Sequence, residues 1–166
     1  MRKVFIGSDH VGFEMKAKLI SYLKELGYDV EDKGAFEYDG TDDYPDFIIP
    51  VAKAVAENPA EYAGIVMGGS GQGEAIAANR VKGVRAALFY SPCLPKQAVD
   101  IKGRKSEDSY EMIRLTREHN NANVLSLGIR FVTEEEVKKV VKMWLEAPFT
   151  QEERHLRRIK KIDELS

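Results

Sequence analysis

A chain of 166 residues, 43% hydrophobic and 31% charged, has the make-up of one globular domain with room for a substantial core. A net charge of −2 gives no global field for nucleic acid, no apolar stretch approaches membrane-spanning length, and the apolar run after Met1 is too short for a signal peptide. A single cysteine, Cys93, excludes an intrachain disulfide framework and suits a reducing compartment, so a cytoplasmic protein is expected.

Residues 3–8 read as an apolar strand. Residues 11–26 read as a helix with Met15, Leu19, Leu23 and Leu26 on one face and Gly27 as its stop. A short second strand over residues 28–31 leads into a polar loop over 32–43. Pro45 then starts a helix that carries Phe47, Ile48, Val51, Ala52 and Val55 and ends near Asn58 and Pro59. Residues 62–67 are continuously apolar and read as a buried strand, followed by the glycine-rich run Gly68-Gly69-Ser70-Gly71-Gln72-Gly73-Glu74 and an Ala-rich helix. Strands are expected again over 84–89 and 123–127. Thr133 and Glu136 are spaced for a capping box on a helix over 134–145, and a last helix is expected over 151–165. This alternation predicts a doubly wound parallel α/β sheet. Residues 91–117 break the rhythm as a long connection, polar in the middle and helical over 110–117. It reads either as a surface excursion or as a lid or interface element.

The glycine-rich turn carries the chemistry. Glycines between a strand and a helix let backbone N–H groups face an anion, and Ser70 and Glu74 add a hydroxyl and a carboxylate at the same place. The run is not a P-loop, because Glu74 and Ala75 follow Gly73 where Lys and Ser or Thr are required. It also fails the dinucleotide fingerprint and the nucleophile elbow. The plainer alternative is a tight turn whose glycines only permit close packing. In an open parallel sheet, ligands bind outside the carboxyl ends of the strands. If the first and third strands are neighbours, Asp9 and His10 can therefore share one small molecule with Ser70 and Glu74. Asp9 could equally cap the following helix. The three histidines, His10, His119 and His155, have no metal-ligand spacing, so no metal is expected. His119 precedes the fifth strand, at the opposite sheet edge, so it would have to come from the long segment or from another subunit. Arg154 and Arg158, four apart on the last helix, suit a phosphate clamp, or else belong to a solvated basic face.

Taken together, Gly7-Ser8-Asp9-His10-Val11-Gly12, Thr41-Asp42-Asp43-Tyr44-Pro45, Gly68 to Arg80, His119-Asn120-Asn121-Ala122 and Arg154-His155-x-x-Arg158 resemble the ribose-5-phosphate isomerase B family, which is grouped with the galactose-6-phosphate isomerase subunits. The resemblance runs along nearly the whole chain, in order. It implies a Rossmann-like three-layer α/β/α sandwich with a five-stranded parallel sheet and an extended C-terminal helix. It implies a homodimer or tetramer whose sites are shared between subunits, so that a neighbouring chain supplies His119. It further implies aldose–ketose isomerisation of a phosphorylated sugar without metal or nucleotide cofactor. Some members carry a cysteine base where this chain has Gly68, and Glu74 stands where the other branch places a carboxylate base. By the same resemblance Glu74, Ser70, His119 and Asp9 are the catalytic residues. His10, Arg130, Arg154 and Arg158 match the phosphate-binding places, and Tyr44, Asn120 and the loop glycines Gly69, Gly71 and Gly73 line the sugar. Cys93 lies outside these motifs and is expected to be dispensable. The 91–117 segment is the departure from the family pattern, as an insertion that bears on substrate identity. A pentose 5-phosphate is the first expectation. Isomerisation of a hexose 6-phosphate (allose or galactose type) and sugar-phosphate binding without turnover are the alternatives.

Overall fold

Period-two alternation along apolar strands sends their side chains into two separate cores. The computed structural model describes residues 3–165 and contains five strands: β1 (Lys3–Ser8), β2 (Asp29–Asp32), β3 (Ala63–Gly68), β4 (Ala86–Phe89) and β5 (Val124–Gly128). All pair in parallel, in the order β2-β1-β3-β5-β4. The helices are α1 (Phe13–Glu25), α2 (Pro45–Glu57), α3 (Gln72–Ala78), α4 (Glu111–Glu118), α5 (Glu134–Glu146) and α6 (Glu153–Asp163), with one 3₁₀ turn at Ile129–Phe131. Val4, Ile6, Ile65, Met67, Leu125 and Leu127 face one side, where they meet Leu19 and Leu23 of α1, Ile113 of α4, and Val137, Val140, Val141 and Trp144 of α5. Phe5, Val66 and Val124 face the other side and meet Ile48, Val51, Ala52 and Val55 of α2 and Ala78 of α3. Gly64 permits this second contact, because a Cβ there would press on the Val51 and Val55 methyls. The parallel α/β sheet expected from the alternation and the three-layer sandwich implied by the resemblance are therefore both present, and α6 contributes no side chain to either core.

Several boundaries shift for identifiable reasons. The first helix starts at Phe13 rather than 11, because the N–H groups of Val11 and Gly12 turn to the Asp9 side chain, at 2.9 and 3.3 Å. Strand β4 starts at Ala86 rather than 84, because the Arg85 N–H donates to the Asn123 side chain, at 2.8 Å. Residues 91–108 hold no regular helix or strand. Their polar middle is tied down by the buried carboxylate of Glu111, which receives Arg104 Nη1 at 2.6 Å, Ser106 Oγ at 3.0 Å and Arg114 Nη1 at 3.3 Å.

The expected capping box is formed. Thr133 Oγ1 accepts the Glu136 N–H at 3.2 Å, and Glu136 Oε2 accepts the Thr133 N–H at 2.8 Å. Because α5 carries four fully buried side chains, fraying its first turn loosens one whole layer. Thr133→Ala should lower unfolding free energy by about 1 kcal/mol in a urea titration, with an unchanged m-value.

Candidate active site

The strand order places the site. To one side of β1 lies β2, and to the other lie β3 and β5, so the chain reverses its direction of travel across the sheet between β1 and β3. At such a reversal the loops leaving adjacent carboxyl ends part and leave a crevice. The β1 end supplies Asp9 and His10, and the β3 end supplies Gly69 to Glu74. The two strands are neighbours, paired from Val4–Ala63 to Ser8–Met67. The crevice is a cavity of about 360 Å³ lined by Asp9, His10, Tyr44, Ser70, Glu74 and Arg130, with Val11, Gly69, Gly73 and Phe131 completing the wall.

Each group is held by its own backbone. Gly71 adopts φ 74°, a left-handed conformation open to glycine at little cost, and this bends the chain from β3 into α3. The Gly71 carbonyl accepts Ser126 Oγ from β5 at 2.6 Å, and the Gly69 carbonyl accepts the Arg130 N–H at 3.1 Å. The loop is thus fixed from the neighbouring strand, and Arg130 is brought over Gly69. Ser70 Oγ lies 3.4 Å from the Gln72 N–H. Gly73 has no Cβ because Tyr44 occupies that space. Gly68 is the same case with a more consequential neighbour: a Cβ there would overlap the Glu74 carboxylate.

Two titratable groups of the crevice are both shifted upward, for different reasons. Burial pushes the Glu74 carboxyl above the usual carboxylate range. The Glu74 backbone N–H opposes this, and the charge of Asp9 adds to it. Glu74 is only 4% exposed, so a base of raised affinity for protons faces the cavity. His10 is raised by its hydrogen bond to Asp42, against the cost of desolvation. Asp9 adds to the rise and Arg130 opposes it. Asp9, His10 and Asp42 also bring three donor atoms within 4.8 Å of one another, the arrangement among the described residues that could take a cation. Those donors are already engaged, His10 with Asp42 at 2.6 Å and Asp9 with two backbone N–H groups.

The remaining expected residues lie elsewhere. His119, Asn120 and Arg158 line a second cavity, of about 470 Å³, with Asn79, Arg85 and Ile159. It sits by the amino ends of β4 and β5, away from the crevice. Arg154 pairs with Glu152, Nε to Oε2 at 2.8 Å, and lines neither cavity. Gly71 is a hinge of the loop and not part of its lining. The His119 ring stacks on His155, with centroids 4.4 Å apart and planes 12° from parallel. His155 is 3% exposed, and burial, then the neighbouring charge of His119, holds it below the usual histidine range. Sequence reasoning missed Val11 and Phe131 on the cavity wall and Asp42 behind His10. The partners of the last pair are 32 residues apart, and no periodicity marks such a contact.

The family model described as Ribose/Galactose Isomerase matches residues 4–103 and 107–162, through most of the 91–117 segment. The chain is 41% identical to ribose-5-phosphate isomerase B of Mycolicibacterium paratuberculosis, over 95% of this chain and 87% of that protein. It is 36% identical to ribose-5-phosphate isomerase B of Escherichia coli, over 98% and 95%. Among solved structures it resembles ribose-5-phosphate isomerase B of Mycoplasma genitalium with bound ribulose-5-phosphate. There the TM-score is 0.84 and the identity 40%, over 98% of this chain and 95% of that one. Among the described residues, no helix is long and apolar enough to cross a membrane.

Proposed function

The chain belongs to the Ribose/Galactose Isomerase family, and we propose that it interconverts ribose 5-phosphate and ribulose 5-phosphate through an enediolate. The observation that carries the reading is the buried Glu74 carboxylate in a cavity that also holds the Arg130 guanidinium and the His10 imidazole. A carboxylate repels a bound anion and so weakens a pure binding site for one, whereas an isomerase needs a base at that place, which Glu74 can supply.

In this reading Glu74 takes the C2 proton and returns it at C1. Its raised proton affinity brings it closer to the working pH, where a general base is most effective. The negative charge that develops on oxygen meets Ser70 and the backbone N–H groups of residues 71–74. One such donor is typically worth ~2.7–4 kcal/mol in the transition state. His10 and Arg130 take the phosphate. Opening the furanose needs an acid–base group at the ring oxygen, the role we assign to His119 with Asp9 assisting. His119, Asn120 and Arg158 share their own cavity at the other end of the strands, so we assign them, with Arg154, to the site of a second copy of the chain. A symmetric dimer then completes two equivalent sites, each using the crevice of one protomer and the second cavity of its partner.

The test is proton exchange in D₂O followed by NMR with chelator present, comparing ribose 5-phosphate, allose 6-phosphate and galactose 6-phosphate. Deuterium entering ribose 5-phosphate together with conversion to the ketose is the expected result. Exchange with a hexose phosphate alone would reassign the substrate, and no exchange with any of the three would leave a binding protein.

A further inference from the structure

His10 has a role in the proposed reaction, but Asp42 behind it has none. The Asp42 side chain is 6% exposed although it comes from a polar loop. One of its oxygens, Oδ1, receives both the His10 N–H at 3.2 Å and His10 Nδ1 at 2.6 Å. Its other oxygen, Oδ2, is buried without a protein partner among the described residues. Burying a carboxylate is costly unless its charge is matched, and a neutral side chain would satisfy one N–H equally well. What a carboxylate adds is its effect on the imidazole. With Nδ1–H given to Asp42, Nε2 is the ring nitrogen left for a ligand in the cavity. A neutral ring in that tautomer would present a lone pair at Nε2, which repels a phosphate oxygen, whereas a protonated ring presents an N–H.

We propose that Asp42 is a positioning residue that acts through His10, orienting the imidazole so that Nε2–H is a charged donor to the phosphate of the substrate. This rests on the isomerase reading above. The charged groups facing His10 are Asp42 and Asp39 from the loop before α2, Asp9 from its own turn, and Arg130 from the 3₁₀ turn after β5. Arg130 opposes protonation of His10, so the carboxylates must outweigh it, and Asp42 is the one in direct contact.

The experiment compares kcat and KM for ribose 5-phosphate in the parent protein, Asp42→Asn, His10→Asn and the double variant, from about pH 6 to about pH 9, with the His10 ring followed by NMR. Removing an opposite charge in direct contact should lower the His10 titration by ~1 unit or more. For Asp42→Asn, KM should then rise about tenfold near pH 8, with kcat within about twofold, and the difference should close towards pH 6. Adding Asp42→Asn to His10→Asn should change nothing further, because the route runs through the ring. A KM that rises equally at all pH values with an unmoved His10 titration, or full additivity in the double variant, would overturn the inference and leave Asp42 as a loop anchor. If Asp42→Asn does not fold, the parent protein decides: a His10 titration at or below the ordinary histidine range overturns the idea, and one above it supports it. A parent that turns over normally beside an Asp42→Asn variant of unchanged KM sinks this inference alone. A parent with no turnover sinks the isomerase reading, and this one with it.

Discussion

Replacing Glu74 by Gln should lower kcat on ribose 5-phosphate by roughly 10²–10⁴, the usual contribution of a placed general base, while sugar-phosphate binding persists. The amide keeps the size of the side chain, so the cavity, His10 and Arg130 stay in place. The same substitution should raise the Tm at neutral pH. The folded-state carboxyl binds its proton more tightly than the unfolded one. Stability from that proton is therefore complete below the unfolded value and is lost as pH rises through the folded value, and a neutral amide escapes this loss. In the parent enzyme, the acid limb of the kcat/KM profile should lie above the ordinary glutamate range and vanish with the substitution. Glu74→Gln and a separate His119→Asn variant, each inactive alone, should recover about a quarter of parental activity when mixed and allowed to exchange subunits. Half of the dimers are then hybrids, and each hybrid holds one intact site. No recovery would refute the shared site, and a kcat within a few-fold of the parent for Glu74→Gln would remove Glu74 as the base.

Gly68→Ala is the second large effect, and it separates the presence of the base from its placement. The new methyl claims the space of the Glu74 carboxylate, which must swing away while every group of the proposed mechanism remains in the protein. A misplacement of about 1 Å can cost ~10²-fold in rate. We expect a kcat loss of that order, with KM and Tm near those of the parent. Gly68 does not occupy the left-handed region, so its backbone accepts alanine without strain. The readouts are steady-state kinetics and thermal melts. Unchanged kcat would mean that the carboxylate works from another position. The same overlap gives a physical reason why a side-chain nucleophile at this strand end and a glutamate six residues later are mutually exclusive solutions: both need one volume.

The parts legible in the sequence were those governed by local physics. Apolar runs buried on both faces marked β1, β3 and β5, and Thr133 with Glu136 marked the start of α5, because these signals need only near neighbours. The crevice was legible because parallel strands deliver their following loops to a common edge, so Asp9, His10, Ser70 and Glu74 followed once β1 and β3 were neighbours. Long-range pairing was less visible. Nothing local places β5 between β3 and β4, or sets Lys16, a residue of the expected helical pattern, 2% exposed against Asp32 at 2.6 Å. The Asp42–His10 contact and the burial of His155 on His119 are of the same kind. Each depends on the full three-dimensional packing, and each has polar residue types that read as surface in one dimension.

The position of β5 also dictates when the protein can begin to work. It is the last strand to leave the ribosome, yet it lies inside the sheet, where it pairs with both β3 and β4. Until residues 124–128 are made, one edge of β3 is bare, and the turn that carries Ser70 and Glu74 lacks the Ser126 hydroxyl and the Arg130 N–H that hold it. A growing chain therefore has Asp9, His10, Ser70 and Glu74 about fifty residues before it has the strand that holds their crevice together.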